Sequence, residues 1–223
     1  MNSSSDSRAS TIAYYDDHAE EFIAGTVDVD MADLYRPFLE YMPQGGRILD
    51  AGCGSGRDSL AFTRMGYEVV SIDASERMVE ATRSVTGGDV RQMTFESAEF
   101  EDEFDGIWAC ASLLHVPRSD LGSVLVRLGK ALKSKGVLYL SFKHGNCERT
   151  EHGRFFHDLD EVALRSLFTS DPRLEIVNLW ISEDMRNERR GNHTWLNALA
   201  LAGRGWNDTK AVANRRRFVG VRE

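Results

Sequence analysis

Short apolar runs alternate with amphipathic helical patterns through the middle of the chain. Runs typical of buried strands fall at residues 47–52, 68–73, 89–93, 104–110 and 136–142. Between them, apolar residues recur every three or four positions, as on one face of a helix. This alternation predicts an α/β fold, a Rossmann-like, doubly wound sheet with helices on both faces.

The pattern changes towards the end of the chain. Residues 174–182 and 194–202 read as two strands with only a polar connection between them. We therefore expect an antiparallel hairpin at one end of a seven-stranded, mostly parallel sheet. A helix before the hairpin is expected to begin with a capping box formed by Asp158 and Glu161.

The first 45 residues carry no strand pattern. Residues 1–10 are polar and serine-rich, so we expect disorder there. Residues 11–45 carry two short amphipathic stripes and predict a helical cap, whose second helix has Asp30 at its start and Pro37 as a kink or end. The main domain is thus expected to span residues 11–202, followed by a tail at 203–223.

Charge and composition exclude several kinds of protein. The chain has 223 residues, 42% of them hydrophobic, and a formal net charge of −8. Only the tail is basic, with six basic and two acidic residues, so nucleic acid is not the expected partner. No apolar run is long enough to span a membrane, and three cysteines without a CxxC pair argue against a disulfide framework. We expect a cytoplasmic protein; the sequence does not indicate its oligomeric state.

A glycine-rich segment, LDAGCGSGRDS at 49–59, joins the first predicted strand to the following helix. Gly52, Gly54 and Gly56 allow positive φ and let the backbone approach a ligand closely. Asp73 lies 21 residues after Gly52, at the end of the next strand, where a carboxylate accepts from both hydroxyls of a ribose. These features indicate a nucleoside ligand; the simpler alternative is a tight turn, with Asp73 as a helix cap.

The residues around the glycines distinguish between nucleosides. A nicotinamide fingerprint requires a small residue at position 57, but Arg57 stands there. Asp50 directly precedes the glycines, and an acid there suits an ammonium or sulfonium group better than a diphosphate.

The quoted segments resemble a known family. ILDAGCGSGRDSLAF (48–62) is similar to motif I of the class I S-adenosylmethionine-dependent methyltransferases, and VVSIDASERMVEAT (69–82) is similar to the segment after it. DEFDGIWACASLLHVP (102–117) and LKSKGVLYLSF (132–142) resemble the fourth motif and the fifth strand. The run 56–75 also resembles the small bacterial tellurite-resistance and type 11 methyltransferases. The resemblance implies S-adenosyl-L-methionine as the cofactor.

The resemblance also assigns cofactor-binding residues. It places Asp73 at the ribose, and the glycines and Asp50 at the methionine part. Tyr15 is placed at the cofactor carboxylate. Arg57 either binds the same carboxylate or forms a surface pair with Asp58. The full set is Tyr15, Asp50, Gly52, Gly54, Arg57, Asp73, Ala74, Met78, Thr94, Phe95, Ala109 and Cys110. Thr94 and Phe95 depart from the acidic and small residues usual there, so the adenine is expected to meet backbone groups and the Phe95 ring.

Further residues are candidates for the acceptor side. His115 follows the fourth strand and is the candidate catalytic base, with an unperturbed pKa near ~6.5; the alternative is that it caps the next helix or bonds a carbonyl in that loop. Tyr14, Lys143 and Arg154 are candidates for binding an anionic or aromatic acceptor; the alternative is helix packing and solvated loop charge. The histidine-rich run His144, Cys147, His152, His157 matches no usual zinc spacing, so no metal is expected.

Together these observations predict an enzyme that moves a methyl group from S-adenosylmethionine to a small molecule by in-line displacement. Two alternatives stay open. The first is methylation of RNA or protein with the basic tail as a docking arm, and the second is a cofactor-binding module without catalysis.

Overall fold

The fold was analysed in a computed structural model that describes residues 4–186 and 194–203. The strands are β1 (Arg47–Ala51), β2 (Glu68–Asp73), β3 (Asp89–Gln92), β4 (Phe104–Ala109), β5 (Leu132–Lys143), β6 (Glu148–Glu151), β7 (Arg154–His157), β8 (Leu174–Glu183) and β9 (Thr194–Ala202). The helices are α1 (Ser4–Asp17), α2 (Ala19–Ala24), α3 (Ala32–Leu39), α4 (Arg57–Arg64), α5 (Glu76–Thr86), α6 (Arg118–Ala131) and α7 (Glu161–Leu167).

Seven strands form one sheet in the order β3-β2-β1-β4-β5-β9-β8. Neighbours from β3 to β5 pair in parallel. Strand β9 runs antiparallel to both β5 and β8. The predicted Rossmann-like sheet with a C-terminal antiparallel hairpin is therefore confirmed.

Helices cover both faces of the sheet. On one face α6 buries Leu121, Leu125 and Leu128 against the strands. On the other face α3 and α4 pack Phe38 and Phe62 against the centre of the sheet. The apolar stripes of these helices supply the two cores, because each helix has one apolar side and must bury it.

Helix α1 corrects the prediction of disorder at residues 1–10, which is wrong for residues 4–10. The helix has no clear apolar face, and polar contacts with distant elements hold it in place. Arg8 pairs with Glu96 at 2.6 Å, and the Thr11 hydroxyl accepts from the Phe155 N–H at 2.9 Å. A local pattern does not reveal such partners.

Two local predictions were also wrong. The N-cap of α7 is Asp160, which accepts from the Ala163 N–H at 2.7 Å; Asp158 instead is buried and pairs with Arg149. The segment after β5, expected to be a loop, contains the two-stranded hairpin β6–β7. Its alternation of side chains is short and interrupted by charges, which hid the hairpin from pattern analysis.

None of the helices in the described ranges is long and apolar enough to cross a bilayer. The basic tail predicted at 203–223 lies, apart from Gly203, outside the described residues.

Candidate cofactor and acceptor site

A cavity of about 260 Å³ opens at the carboxyl ends of β1, β2, β4 and β5. The strand order reverses between β1 and β4, and ligands of doubly wound sheets bind at such a switch point. Helix α1 forms one wall of the cavity through Thr11 and Tyr15, while the β8–β9 end of the sheet supplies Ser182 and Trp195.

The glycine loop forms the floor with bare backbone. Gly52 has φ of 88°, and a Cβ there would lie 2.4 Å from the Ser112 Cβ. Gly54 has φ of 51°, and its Cβ would lie 3.2 Å from the Phe22 ring. Both positions line the cavity, so a ligand can approach the peptide groups themselves.

Asp73 ends β2 beside this loop and lines the cavity. One carboxylate oxygen accepts from the Gly54 N–H and the other from the Ser75 N–H, each at 3.0 Å. Burial raises the pKa of Asp73, and these backbone donors oppose that shift. The anchored carboxylate leaves lone pairs for a diol, so a ribose fits here. Residues predicted near the adenine line the same cavity: Ala74, Met78, Thr94 and Phe95.

Two residues predicted at the cofactor do not line the cavity. Asp50 lies within β1, 2% exposed, and accepts from the Ser59 hydroxyl at 2.5 Å. Burial beside Asp58 raises the pKa of Asp50 to about 8. Ala109 is fully buried in the core of the sheet. Cys110 does line the cavity, and burial raises the pKa of its thiol to about 12. The difference between Ala109 and Cys110 follows from strand alternation, since neighbouring residues face opposite sides of a sheet.

Arg57 forms a pair with Asp58, but the pair is largely buried rather than on the surface, with 19% and 8% of the two side chains exposed. The guanidinium donates to both carboxylate oxygens, at 2.6 and 2.8 Å. Tyr35 and Trp108 donate to the same carboxylate, at 2.5 and 2.8 Å. These donors hold the pKa of Asp58 below its usual range. The Arg57 guanidinium therefore already uses its two-pronged hydrogen-bonding edge on Asp58. A contact with the cofactor carboxylate, as predicted, would have to use its other N–H groups.

Tyr15 and His115 form a hydrogen-bonded pair within the cavity wall. His115 Nδ1 lies 2.6 Å from the Phe155 carbonyl oxygen, which only accepts, so Nδ1 carries the proton. Neutral Nε2 then accepts from the Tyr15 hydroxyl at 2.8 Å. Burial lowers the pKa of His115 to about 4 and raises that of Tyr15 to about 12. His115 does not cap the next helix, which has Pro117 at that position.

Lys143 and Arg154 both line the cavity on the side of β5 and β7. The Lys143 ammonium lies 4.2 Å from the centroid of the Phe156 ring. The Arg154 guanidinium lies 4.4 Å from the Tyr14 ring. Tyr14 itself stacks on His18 and is not part of the cavity lining, so its predicted acceptor contact is replaced by support of Arg154.

Sequence reasoning missed a polar group at the far wall. Asn197 is fully buried within the apolar strand β9 and lines the cavity. Its side-chain oxygen accepts from the Tyr139 hydroxyl at 2.8 Å, and its amide donates to the Ser182 hydroxyl at 3.0 Å. A lone asparagine in an otherwise apolar strand was the available signal, because buried amides need partners.

The histidine-rich run has ordinary partners. His144 Nε2 lies 3.2 Å from a Glu161 carboxylate oxygen, and Arg118 donates to His157 at 3.3 Å. In the part of the chain that the structure describes, no three potential metal ligands lie close enough to hold an ion.

Comparisons with known proteins identify the family of the chain. Residues 48–136 match the family of methyltransferase domains. The chain is 35% identical over 184 residues to the ubiquinone biosynthesis O-methyltransferase of Xanthomonas campestris, covering 71% of this chain and 76% of that protein. It is 32% identical over 104 residues to the magnesium-protoporphyrin O-methyltransferase of Rhodobacter capsulatus, covering 44% of this chain and 46% of that protein.

A solved structure has the same fold. It is the Burkholderia thailandensis 1,6-didemethyltoxoflavin-N1-methyltransferase with 1,6-didemethyltoxoflavin and S-adenosylhomocysteine bound. It aligns with a TM-score of 0.76 at 17% identity, covering 91% of this chain and 92% of that one.

The chain therefore belongs to the class I S-adenosylmethionine-dependent methyltransferases, and S-adenosylmethionine is its cofactor. Several of its curated relatives are matched over less than half of their length, such as the Rhodobacter protein at 46%.

Proposed function

We propose that this protein transfers the methyl group of S-adenosylmethionine to a small molecule bound in the same cavity. The observation that carries the proposal is the enclosure of one cavity by two sets of residues. Asp73 and the glycine loop line one end, and Lys143, Arg154 and Trp195 line the other. Helix α1 lies against both ends, so the site is concave rather than an open groove, as small-molecule sites are.

The cofactor supplies an activated methyl group on a positively charged sulfur, which leaves as a neutral thioether. The protein mainly has to position the acceptor and exclude water. We assign Asp73 to the ribose hydroxyls, the peptide groups of Gly52 and Gly54 to the methionine part, and Phe95 with Met78 to the adenine. The predicted contacts of Asp50 and Ala109 are not part of this assignment, because neither residue lines the cavity.

We place the Tyr15 hydroxyl at the junction of the cofactor and acceptor ends, not at the cofactor carboxylate that the resemblance implies, because its O–H points to His115 Nε2. The Arg154 guanidinium interacts with the same oxygen. With a pKa of about 4, His115 is a weak base at neutral pH. Its proposed role is therefore to orient Tyr15, and the acceptor proton passes to solvent as the new bond to carbon forms.

The experiment is calorimetry followed by turnover. We expect the full chain to bind S-adenosylmethionine and S-adenosylhomocysteine, and to methylate members of a panel of phenols, amines and carboxylic acids, but not total RNA or protein extract. Binding without turnover on any substrate would support the non-catalytic module instead. Turnover on RNA alone would support the docking-tail alternative. The predicted cytoplasmic location stays a prediction.

A further inference from the structure

The cavity contains two cations that lack a carboxylate partner. Its other arginines are paired: Arg8 with Glu96 at 2.6 Å, Arg57 with Asp58, and Arg186 with Asp184. Across the described ranges, neither Lys143 nor Arg154 takes part in an ion pair. The Arg154 Nε is also buried without a hydrogen-bond partner, an arrangement that costs free energy unless a ligand supplies the acceptor.

These two cations both contact one aromatic ring. The Lys143 ammonium lies 4.2 Å from the Phe156 centroid, and the Arg154 guanidinium lies 5.1 Å from the same centroid. Tyr14 supports Arg154 from the other side at 4.4 Å. The charges are thus held in place by rings and not by acids. Burial and the nearby Arg149 lower the pKa of Lys143, and the charges of Glu151 and Asp158, which form no ion pair with it, only partly oppose that shift. A bound anion would oppose it further.

The position in the sheet separates this pair from the cofactor's ribose. Lys143 ends β5, three strands away from β2, which ends at Asp73. Neighbouring strands lie about 4.8 Å apart, so the two strand ends are separated by roughly 14 Å. That distance places Lys143 beyond the ribose and methionine parts of the cofactor, on the side left for the acceptor.

We propose that Lys143 and Arg154 together bind an oxyanion, a carboxylate first of all, on a planar aromatic acceptor that packs against Trp195. This inference rests on the proposed function and names its substrate class. Lys143 donates as a point charge, while Arg154 offers its buried Nε and a second N–H in the fork geometry that matches a carboxylate. Phe156 is buried beneath the two cations and supports them, whereas Trp195 is partly exposed and lines the cavity.

The test uses matched pairs of probes on the full chain saturated with S-adenosylhomocysteine. The probes are benzoate and benzamide, indole-3-carboxylate and its amide, and quinoline-2-carboxylate and its amide. Within at least one pair we expect calorimetry to show the acid binding about tenfold or more tighter than its amide, because charge-assisted hydrogen bonds are lost in the amide. Equal affinity within all three pairs would overturn the proposal.

Three variants assign the effect to residues. Lys143→Met and Arg154→Gln should each remove most of the preference for the acid. The control Lys130→Met changes an exposed lysine at the end of α6 and should keep the preference. Circular dichroism and thermal unfolding verify that each variant is folded.

The same titrations separate two sources of the anion. If Arg154→Gln weakens S-adenosylhomocysteine binding and leaves the acid preference intact, Arg154 belongs to the cofactor carboxylate and the proposed pair is wrong. Failure of the proposed function can be distinguished from failure of this inference. In that case the protein would not bind the cofactor, or it would methylate no acceptor, charged or neutral.

Discussion

Asp73 is the residue on which the proposed cofactor contact depends most directly. Its two oxygens each hold one backbone N–H, at 3.0 Å, and the side chain still faces the cavity. The carboxylate is therefore fixed before any ligand arrives, and a ligand that uses it does not have to order it.

Replacing Asp73 with alanine should weaken S-adenosylmethionine binding by more than about tenfold, since two charge-assisted hydrogen bonds worth roughly 1.5–3 kcal/mol each are lost. Calorimetry measures the change. Asp33→Ala, at a carboxylate that is 76% exposed on α3, is the matched control and should bind normally. Normal binding by a folded Asp73→Ala variant would contradict the ribose assignment.

The buried His115 side chain should make the stability of the fold depend on pH. Its folded pKa of about 4 lies below the ordinary 6.5, so the unfolded chain takes up a proton first as the pH falls. The fold should lose stability between about pH 6.5 and pH 4, by up to roughly 3 kcal/mol from this residue. Urea unfolding at several pH values measures the slope, and His115→Gln should flatten it.

Nuclear magnetic resonance gives a direct measure of the same group. The His115 ring signals should stay those of the Nδ1-protonated neutral tautomer down to about pH 4. Titration near the ordinary value would show that the imidazole is solvated and that its contact with Tyr15 is not maintained in solution.

At the scale of elements, one carboxylate joins three of them. Asp58 on α4 accepts from Tyr35 on α3 and from Trp108 on β4, in addition to Arg57. All these groups are packed around the central part of the sheet, and the Trp108 ring stacks on Tyr139 at 3.8 Å. The network fixes the helix that follows the glycine loop.

Asp58→Ala should lower the free energy of unfolding by about 3–5 kcal/mol, because a buried guanidinium and two ring donors lose their acceptor. Asp89→Ala, which removes an exposed pair with Arg91, should cost less than about 1 kcal/mol. Chemical denaturation of both variants decides the point. A loss at Asp58 no larger than that at Asp89 would mean that water replaces the network at little cost.

Helix α1 is the second element with a predicted effect. It contributes no side chain to the two main cores, yet Thr11 and Tyr15 line the cavity. Deleting residues 1–17 should leave a cooperatively folded sheet that binds S-adenosylmethionine about tenfold or more weakly. Circular dichroism checks the fold and calorimetry the affinity; full affinity in the truncated chain would remove α1 from the site.

For the whole molecule, charge separates the substrate classes. The chain carries a net charge of −8, although residues 203–223 hold six basic and two acidic residues. An acidic body repels a polynucleotide, and affinity for phosphates falls steeply with salt. Truncation after Gly203 should leave small-molecule turnover nearly unchanged. Salt-sensitive RNA binding by the full chain that disappears on truncation would favour the docking-tail alternative.

The sequence by itself determined the sheet and the meeting of the glycine loop with Asp73 at one cavity. Buried strands, helix periodicity and the 21-residue spacing from Gly52 to Asp73 are local signals, because strand, loop and helix follow one another directly in the chain. Ser75 is a further local signal, because a serine directly before a helix caps it, and its side chain accepts from the Met78 N–H at the start of α5.

Only the tertiary structure decided which residues meet at the end of the cavity that we propose for the acceptor. Tyr15 and His115 are 100 positions apart, and Arg154 reaches the cavity through a hairpin that the sequence pattern did not show. The tautomer of His115, the inward pairing of Arg57 and the unpaired state of Lys143 all depend on partners supplied by other elements. Burial and long-range pairing set these properties, and a local pattern of residues predicts neither of them.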